Sequence, residues 1–356
     1  MTAEHKRPRT TAATSSSTDH YPLPTATYKE SVEERAIRTV AFIRSLRFSV
    51  PLSALQRVVD RAECPKCKKH RKFICYDCLT VVHPTTHPKP LQLPLHVHVI
   101  LHPNEHRSKA TTLPASTVSP EFIHIHTYPD VPSLSTESGE TVVLYPSDSA
   151  TSLDDIGDVS RIRNVIFIDS TWQQSKCISR DARVVGFRHV RIERQESLFW
   201  RYQDKDPSFL ATVEAIYYFL RQYVTLMNRR SLPPQTPGAR EDADGGEGDS
   251  LLDTTATSSS KQQRDDADSA LAAAGGAGDA ALVSASSSSP SSYHGEVDDV
   301  LLYFVHQYIL VQQLYSDPKS KSFCERHFAD YVLRGVDWSS ALGDEKRPPG
   351  DASLAA

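Results

Sequence analysis

Residues 165–176 read Val-Ile-Phe-Ile-Asp-Ser-Thr-Trp-Gln-Gln-Ser-Lys, so four apolar β-formers run straight into a polar turn built around Asp169, Thr171 and Trp172. A short apolar run that ends at a helix-start signal suits a buried strand of a parallel sheet. In open α/β sheets ligands gather just beyond the carboxyl ends of such strands, which is where this turn falls. Asp169 or Ser170 can cap a helix beginning near Thr171, leaving free backbone N–H groups that favour a carboxylate or a phosphate. The plainer use of the same residue types, aspartate as a cap and tryptophan as packing, is also the commoner one.

Working outward, the alternation Leu-His-Val-His-Val-Ile-Leu at 95–101 reads as a half-buried strand, and 122–128, 141–145 and 184–192 read as further strands. Residues 212–227 place Val213, Ile216, Leu220, Val224 and Met227 on one helical face, and 299–314 do the same with Val300, Leu301, Phe304, Val305, Tyr308 and Ile309. The expected class is therefore α/β, with about five strands flanked by helices. The tract between those two helices, 229–296, is rich in Ser, Ala, Gly and Asp without sustained periodicity. It is too long for a connection inside a compact domain and reads as a disordered insertion, which makes the two helices neighbours. The resulting division is a disordered tail 1–27, a helix and cysteine module 28–92, an α/β domain in two parts at 93–228 and 297–340, and a second tail 341–356.

A net charge of −4 over 356 residues gives no global nucleic-acid signature. Much of the acid lies between Glu241 and Asp279, however, so a basic face on the folded part stays open. No apolar run is long enough to cross a bilayer, and the polar N-terminus lacks the apolar core of a secretory signal. A soluble intracellular protein is expected, with Lys6-Arg7-Pro8-Arg9 readable either as a weak nuclear address or as a solvated tail.

Cys64-Pro-Lys-Cys67 and Cys75-Tyr-Asp-Cys78 supply two thiolate pairs at the spacing of two turns that close a tetrahedral Zn²⁺ site. Four protein thiolates leave zinc no open position, so its role is folding and the presentation of a basic knuckle. Lys66, Lys68, Lys69, Arg71 and Lys72 on that knuckle are candidate phosphate contacts, against the ordinary reading of a solvated charged face. Eight of the 15 histidines fall between His83 and His126, which raises the question of a second metal site. It is not favoured, because histidines along a strand face are more often exposed or hydrogen-bonded than ligating. The polar run 102–107 with Ser108, Lys109, Ala110 and Thr111 suits a loop that contacts a charged ligand, or a plain surface turn.

Asp169-Ser-Thr-Trp172 resembles the D-x-T-W signature of the DTW-domain family, and the likeness runs well past four residues. The cysteine cluster, Leu93-Pro-Leu95 with His102-Pro-Asn-Glu105, Tyr145-Pro-Ser147, Phe199-Trp-Arg-Tyr-Gln203 and 209–220 resemble, in order, segments of the family's eukaryotic branch. The resemblance implies a tRNA-uridine aminocarboxypropyltransferase. Such an enzyme moves the 3-amino-3-carboxypropyl group of S-adenosylmethionine to N3 of a uridine in the tRNA D-loop and releases methylthioadenosine. It also implies a SPOUT-like knotted sheet flanked by helices, beside a small zinc-binding module. Many knotted relatives pair up, which leaves a homodimer open.

Within that resemblance, Asp169 accepts or orients the N3 proton, since a partly desolvated carboxylate has its pKa raised toward a useful value. Thr171 meets the amino-acid part of the cofactor, and Trp172 stacks on a base or walls the pocket. Leu210, Thr212 and Glu214 lie in the family's Leu-Ser/Thr-Thr-x-Glu segment and are the further cofactor candidates, Glu214 toward the amine. Ala211 replaces the usual hydroxyl residue there. Lys66, Lys68, Arg71, Lys109 and Arg201 are the candidate RNA contacts. Two rivals stand beside this reading: a SPOUT-like RNA methyltransferase using the same cofactor, and a non-catalytic zinc-dependent RNA-binding adaptor.

Overall fold

A computed structural model describes residues 31–135, 137, 139–199, 208–231, 293–316, 332–333 and 335–338. The expected tails and nearly all of the expected insertion lie outside these residues. No helix among them is long and apolar enough to cross a membrane.

The first helix, α1 (Val32–Ser45), starts at a capping box: Ser31 Oγ accepts from the Glu34 amide at 3.1 Å, and the Glu34 carboxylate accepts from the Ser31 amide at 2.8 Å. A second helix, α2 (Leu52–Gln56), follows Pro51, so the helical stretch read over 31–59 is broken in two where the chain becomes extended ahead of proline. Next come two small antiparallel ribbons, β1 (Ala62–Glu63) with β2 (His70–Arg71) and β3 (Ile74–Cys75) with β4 (Thr80–Val81), which carry the cysteines.

The main body runs β5 (His96–Leu101), α3 (Thr112–Val118), β6 (Ile123–Thr127), β7 (Thr141–Leu144), β8 (Thr151–Ser152), β9 (Asn164–Asp169), α4 (Trp172–Ser179), α5 (Ala182–Val185), β10 (Arg188–Arg191) and α6 (Thr212–Ser231). A 3-10 turn at Asp298–Leu301 then leads into α7 (Leu302–Ser316). The six strands form one sheet in the order β6-β5-β9-β7-β10-β8, and every neighbouring pair is parallel. The α/β class and the parallel sheet are thus as the apolar run at 165–168 requires.

Alternation along the strands divides the apolar side chains between two faces. Val97, Val99, Val142, Val165, Phe167 and Val190 share one core with Ala115 and Val118 of α3, Ile216, Phe219 and Leu220 of α6, and Ile43, Leu46, Leu52 and Leu55 of the N-terminal helices. Ile100, Val143 and Ile166 pack on the opposite face with Ile178 of α4 and Val184 of α5. The strand expected over 184–192 is corrected by this second cluster. Asp181 caps α5 by accepting from the Arg183 amide at 3.0 Å, so Val184 fills the core from a helical turn and β10 begins only at Arg188.

The helices on either side of the long tract meet. Tyr217 of α6 donates its hydroxyl to Asp298 at 3.1 Å, and the same carboxylate accepts from the Arg47 amide at 2.6 Å. Asp299 accepts from the Ser49 amide at 2.9 Å. Two acidic residues at the entry to α7 therefore hold three remote segments together.

Candidate active site

β5 and β9 pair in register from His96 opposite Asn164 to Leu101 opposite Asp169, so their carboxyl ends are level. The amide of His102 donates to the Asp169 carbonyl at 3.0 Å, which brings the 102–111 loop over the end of β9. The pleat puts the Asp169 side chain on the face of Val165 and Phe167, under α3 and α6. There Oδ2 accepts from the Thr112 hydroxyl at 2.5 Å and Oδ1 from the Thr212 hydroxyl at 2.9 Å. Asp169 is only 7% exposed. Burial pushes its pKa up, the two hydroxyls pull the other way by favouring the charged form, and nearby Glu105 adds to the rise.

Asp169 is therefore not the cap of the following helix, and neither is Ser170. Thr171 occupies that position with an extended backbone, and Gln174 Oε1 accepts from its amide at 3.3 Å. Thr171 is exposed at the start of α4. The side chain of Trp172 and the whole of Arg201 lie outside the described residues.

The start of α6 forms a second buried acidic centre. Glu214 is 1% exposed. Its Oε1 accepts from the Leu198 amide at 2.6 Å, and Oε2 accepts from the Ser197 hydroxyl at 2.6 Å and the Ala211 amide at 2.8 Å. Burial pushes this carboxyl up to about 7 against those three donors. Ala211 immediately precedes α6, where a hydroxyl would ordinarily accept from one of the first amides. Thr111 supplies that oxygen from another segment, accepting from the Val213 amide at 3.4 Å. Position 211 thus behaves as a helix cap whose missing group is replaced by a neighbour. Leu210 packs half-buried against the main core.

Thr112 escaped the reading of the sequence, as did a polar cluster on the neighbouring strands. Beyond the end of β7, Ser147 Oγ lies 2.9 Å from His189 Nδ1 on β10, and the Tyr145 hydroxyl lies 3.4 Å from Ser175 Oγ on α4. Burial lowers the pKa of His189. The only signal for this cluster was the Tyr145-Pro-Ser147 segment, and Thr112 had none beyond its closeness to the polar loop.

The four cysteine sulfurs all lie within 4.8 Å of one another, with Cys64 and Cys75 buried. Each thiol pair ends in a turn whose next residue has positive φ, Lys68 at 63° and Leu79 at 48°, which folds the backbone back over the sulfurs. Thiols so close cannot all ionise without a cation. The backbone N–H of Cys67 leads in drawing Cys64 down to about 7, while hydrogen bonding to Cys67 leads in driving Cys78 up to about 12. A metal ion among four sulfurs resolves that conflict, so the donor set fits one.

The knuckle's cations are partly engaged. Lys68 pairs with Glu63 at 3.2 Å, while Lys69 and Arg71 pair with Asp77 at 3.2 and 2.8 Å. The Arg71 guanidinium also lies 4.2 Å from the centre of the Tyr76 ring. Lys66 is exposed on the first cysteine turn and Lys109 on the loop after β5.

The histidine row is a hydrogen-bonded ladder. His96 Nδ1 lies 3.1 Å from His124 Nε2, His98 Nδ1 lies 3.1 Å from His126 Nε2, and His98 Nε2 lies 3.2 Å from Asn164 Oδ1. Burial lowers His98 to about 4, so the ladder is neutral at physiological pH where it is deepest. Among the described residues the cysteines are the one group of three or more potential ligands close enough to hold a metal.

A family model for the DTW domain matches residues 61–253, more than half of the chain. The chain is 32% identical over 208 residues to tRNA-uridine aminocarboxypropyltransferase 1 of Xenopus laevis, covering 46% of this chain and 72% of that protein. It is 31% identical to the Xenopus tropicalis protein of the same name, covering 48% and 75%, and 32% identical to that of Homo sapiens, covering 46% and 69%. No solved structure matches the chain significantly. The matched stretch contains the cysteine knuckle, the Asp169 strand end and the start of α6, and the chain belongs to the DTW-domain family.

Proposed function

We propose that this protein transfers the 3-amino-3-carboxypropyl group of S-adenosylmethionine to N3 of a tRNA uridine. The observation that carries the reading is the placement of Asp169-Ser-Thr-Trp172 at the carboxyl end of the inner strand β9, in a chain that agrees with tRNA-uridine aminocarboxypropyltransferases over more than two thirds of their length. When bound, the sulfonium cofactor supplies an electrophilic carbon and a neutral leaving group. N3 forms a bond to that carbon, the carbon–sulfur bond breaks with its electron pair passing to sulfur, and the N3 proton leaves to a base. Sulfur departs as methylthioadenosine.

The residues at the strand end divide the work. Thr171, exposed at the head of α4, reaches the amino-acid part of the cofactor, whose carboxylate the helix terminus favours. Asp169 is buried and accepts one threonine hydroxyl on each oxygen, which supports a positioning role: it locks β9 to α3 and α6 so that the turn after it is presented in one geometry. Glu214 is likewise better supported as a clamp on the 197–199 loop than as a contact to the cofactor amine.

Zn²⁺ in the cysteine knuckle, phosphate contacts from Lys66, Lys68, Arg71, Lys109 and Arg201, and a SPOUT-like knot complete the proposal. The knot rests on the family resemblance alone. A nuclear location has only Lys6-Arg7-Pro8-Arg9 behind it. Mass spectrometry of tRNA from cells lacking the protein tests the assignment: the aminocarboxypropyl uridine disappears if the reading is right and persists if it is wrong.

A further inference from the structure

We infer that the cysteine knuckle acts as a positioning element for Asp169, through Tyr76 and Arg107. The second cysteine turn presses Tyr76 and Leu79 against Leu101 at the end of β5 and against Ala110 and Leu113 at the start of α3. Arg107, in the loop joining β5 to α3, donates its Nε to the Tyr76 carbonyl at 2.9 Å. On its other side the knuckle is braced against α7, where Phe73 meets the His306 ring edge-on at 5.2 Å.

The knuckle is thus a wedge between α7 and the first turn of α3. That turn carries Thr112, which holds Asp169, and follows Thr111, which caps α6. A metal ion drawn in by the four sulfurs fixes the Cys75–Cys78 turn, and with it the Tyr76 carbonyl and ring. Because interiors are close-packed, a shift there moves the start of α3. Tyr76 and Arg107 are positioning residues, since neither touches Asp169.

The catalytic part of this inference rests on the function proposed above, so its test pairs two readouts. Hydrogen exchange and steady-state transfer to tRNA are measured for the zinc-loaded full chain, for Arg107→Ala, and for Tyr76→Ala beside Tyr76→Phe. In Arg107→Ala and Tyr76→Ala, exchange across 108–118 rises by roughly three- to tenfold, the change one part-buried hydrogen bond carries, while β7 and β10 peptides keep the wild-type rate. Alongside it kcat falls about tenfold with KM for tRNA unchanged. Tyr76→Phe keeps the ring and the carbonyl and restores wild-type exchange. Unchanged exchange in Arg107→Ala, or a rise confined to KM for tRNA, overturns the inference and makes Arg107 an RNA contact. A wild-type protein that transfers nothing defeats the proposed function instead, and the exchange comparison still decides whether the knuckle holds α3.

Discussion

The hydroxyl of Thr112 donates to the carboxylate of Asp169 at 2.5 Å, across 57 positions of sequence, and ties the first turn of α3 to the end of β9. With Thr212 on the other oxygen, a buried carboxylate is held from two helices at once. Replacing either threonine by valine keeps the shape and removes one hydrogen bond to a charged group. Each change should cost about 1–3 kcal/mol in urea unfolding. The double variant should depart from additivity by at least about 0.5 kcal/mol, because both hydroxyls serve one group. Strict additivity of two small effects would show that Asp169 is not the hub described here.

Glu214 gives a stability profile with a definite sign. Its folded value of about 7 lies above its ordinary 4.5, so the stabilisation linked to it is present below that ordinary value and is lost as pH rises through about 7. Glu214→Gln cannot titrate. Between pH 5 and pH 8 the wild type should lose up to about 3 kcal/mol relative to Glu214→Gln, read from urea midpoints. Parallel profiles for the two proteins would place the Glu214 carboxyl back in the ordinary range.

What the sequence made legible was what local pattern controls. Apolar runs marked β5 and β9, and helical periodicity marked α6 and α7, because both lie in adjacent residues. α3 went unread, since Thr112-Leu-Pro-Ala-Ser-Thr-Val118 contains mostly weak helix formers; burial of nearly the whole segment makes it helical. Val184 and Val185 suggested strand by their branching, while Asp181 and the second core decided for a helical turn. Of the candidate site, the knuckle was legible because its ligands are close in sequence. The partners of Asp169 and Glu214 were not, because Thr112, Thr212, Ser197 and Leu198 meet them only through tertiary packing. Spacing alone does not encode such contacts.

The knuckle should hold one zinc per chain. Cys75→Ser removes a buried ligand and should reduce bound zinc, measured by elemental analysis, from about one equivalent to a small fraction of it. Full retention of zinc in Cys75→Ser would move the metal away from these four sulfurs.

Lys66 is an exposed cation on the first cysteine turn of the knuckle, open to an RNA backbone. Lys66→Ala should lower the slope of log Kd for tRNA against log salt by about 0.7–0.9, the effect of one lost phosphate contact. An unchanged slope, read from binding titrations at several salt concentrations, would mark Lys66 as a solvated charge.

Aminocarboxypropyl transfer is tested by product analysis after incubating the purified, zinc-loaded protein with unmodified tRNA and S-adenosylmethionine. Methylthioadenosine and aminocarboxypropyl uridine should form in equal amounts, with both reduced by at least about tenfold in Asp169→Ala. S-adenosylhomocysteine with a methylated nucleotide would make the protein a methyltransferase. tRNA binding without either small-molecule product would rule out transfer and leave an RNA-binding adaptor in its place.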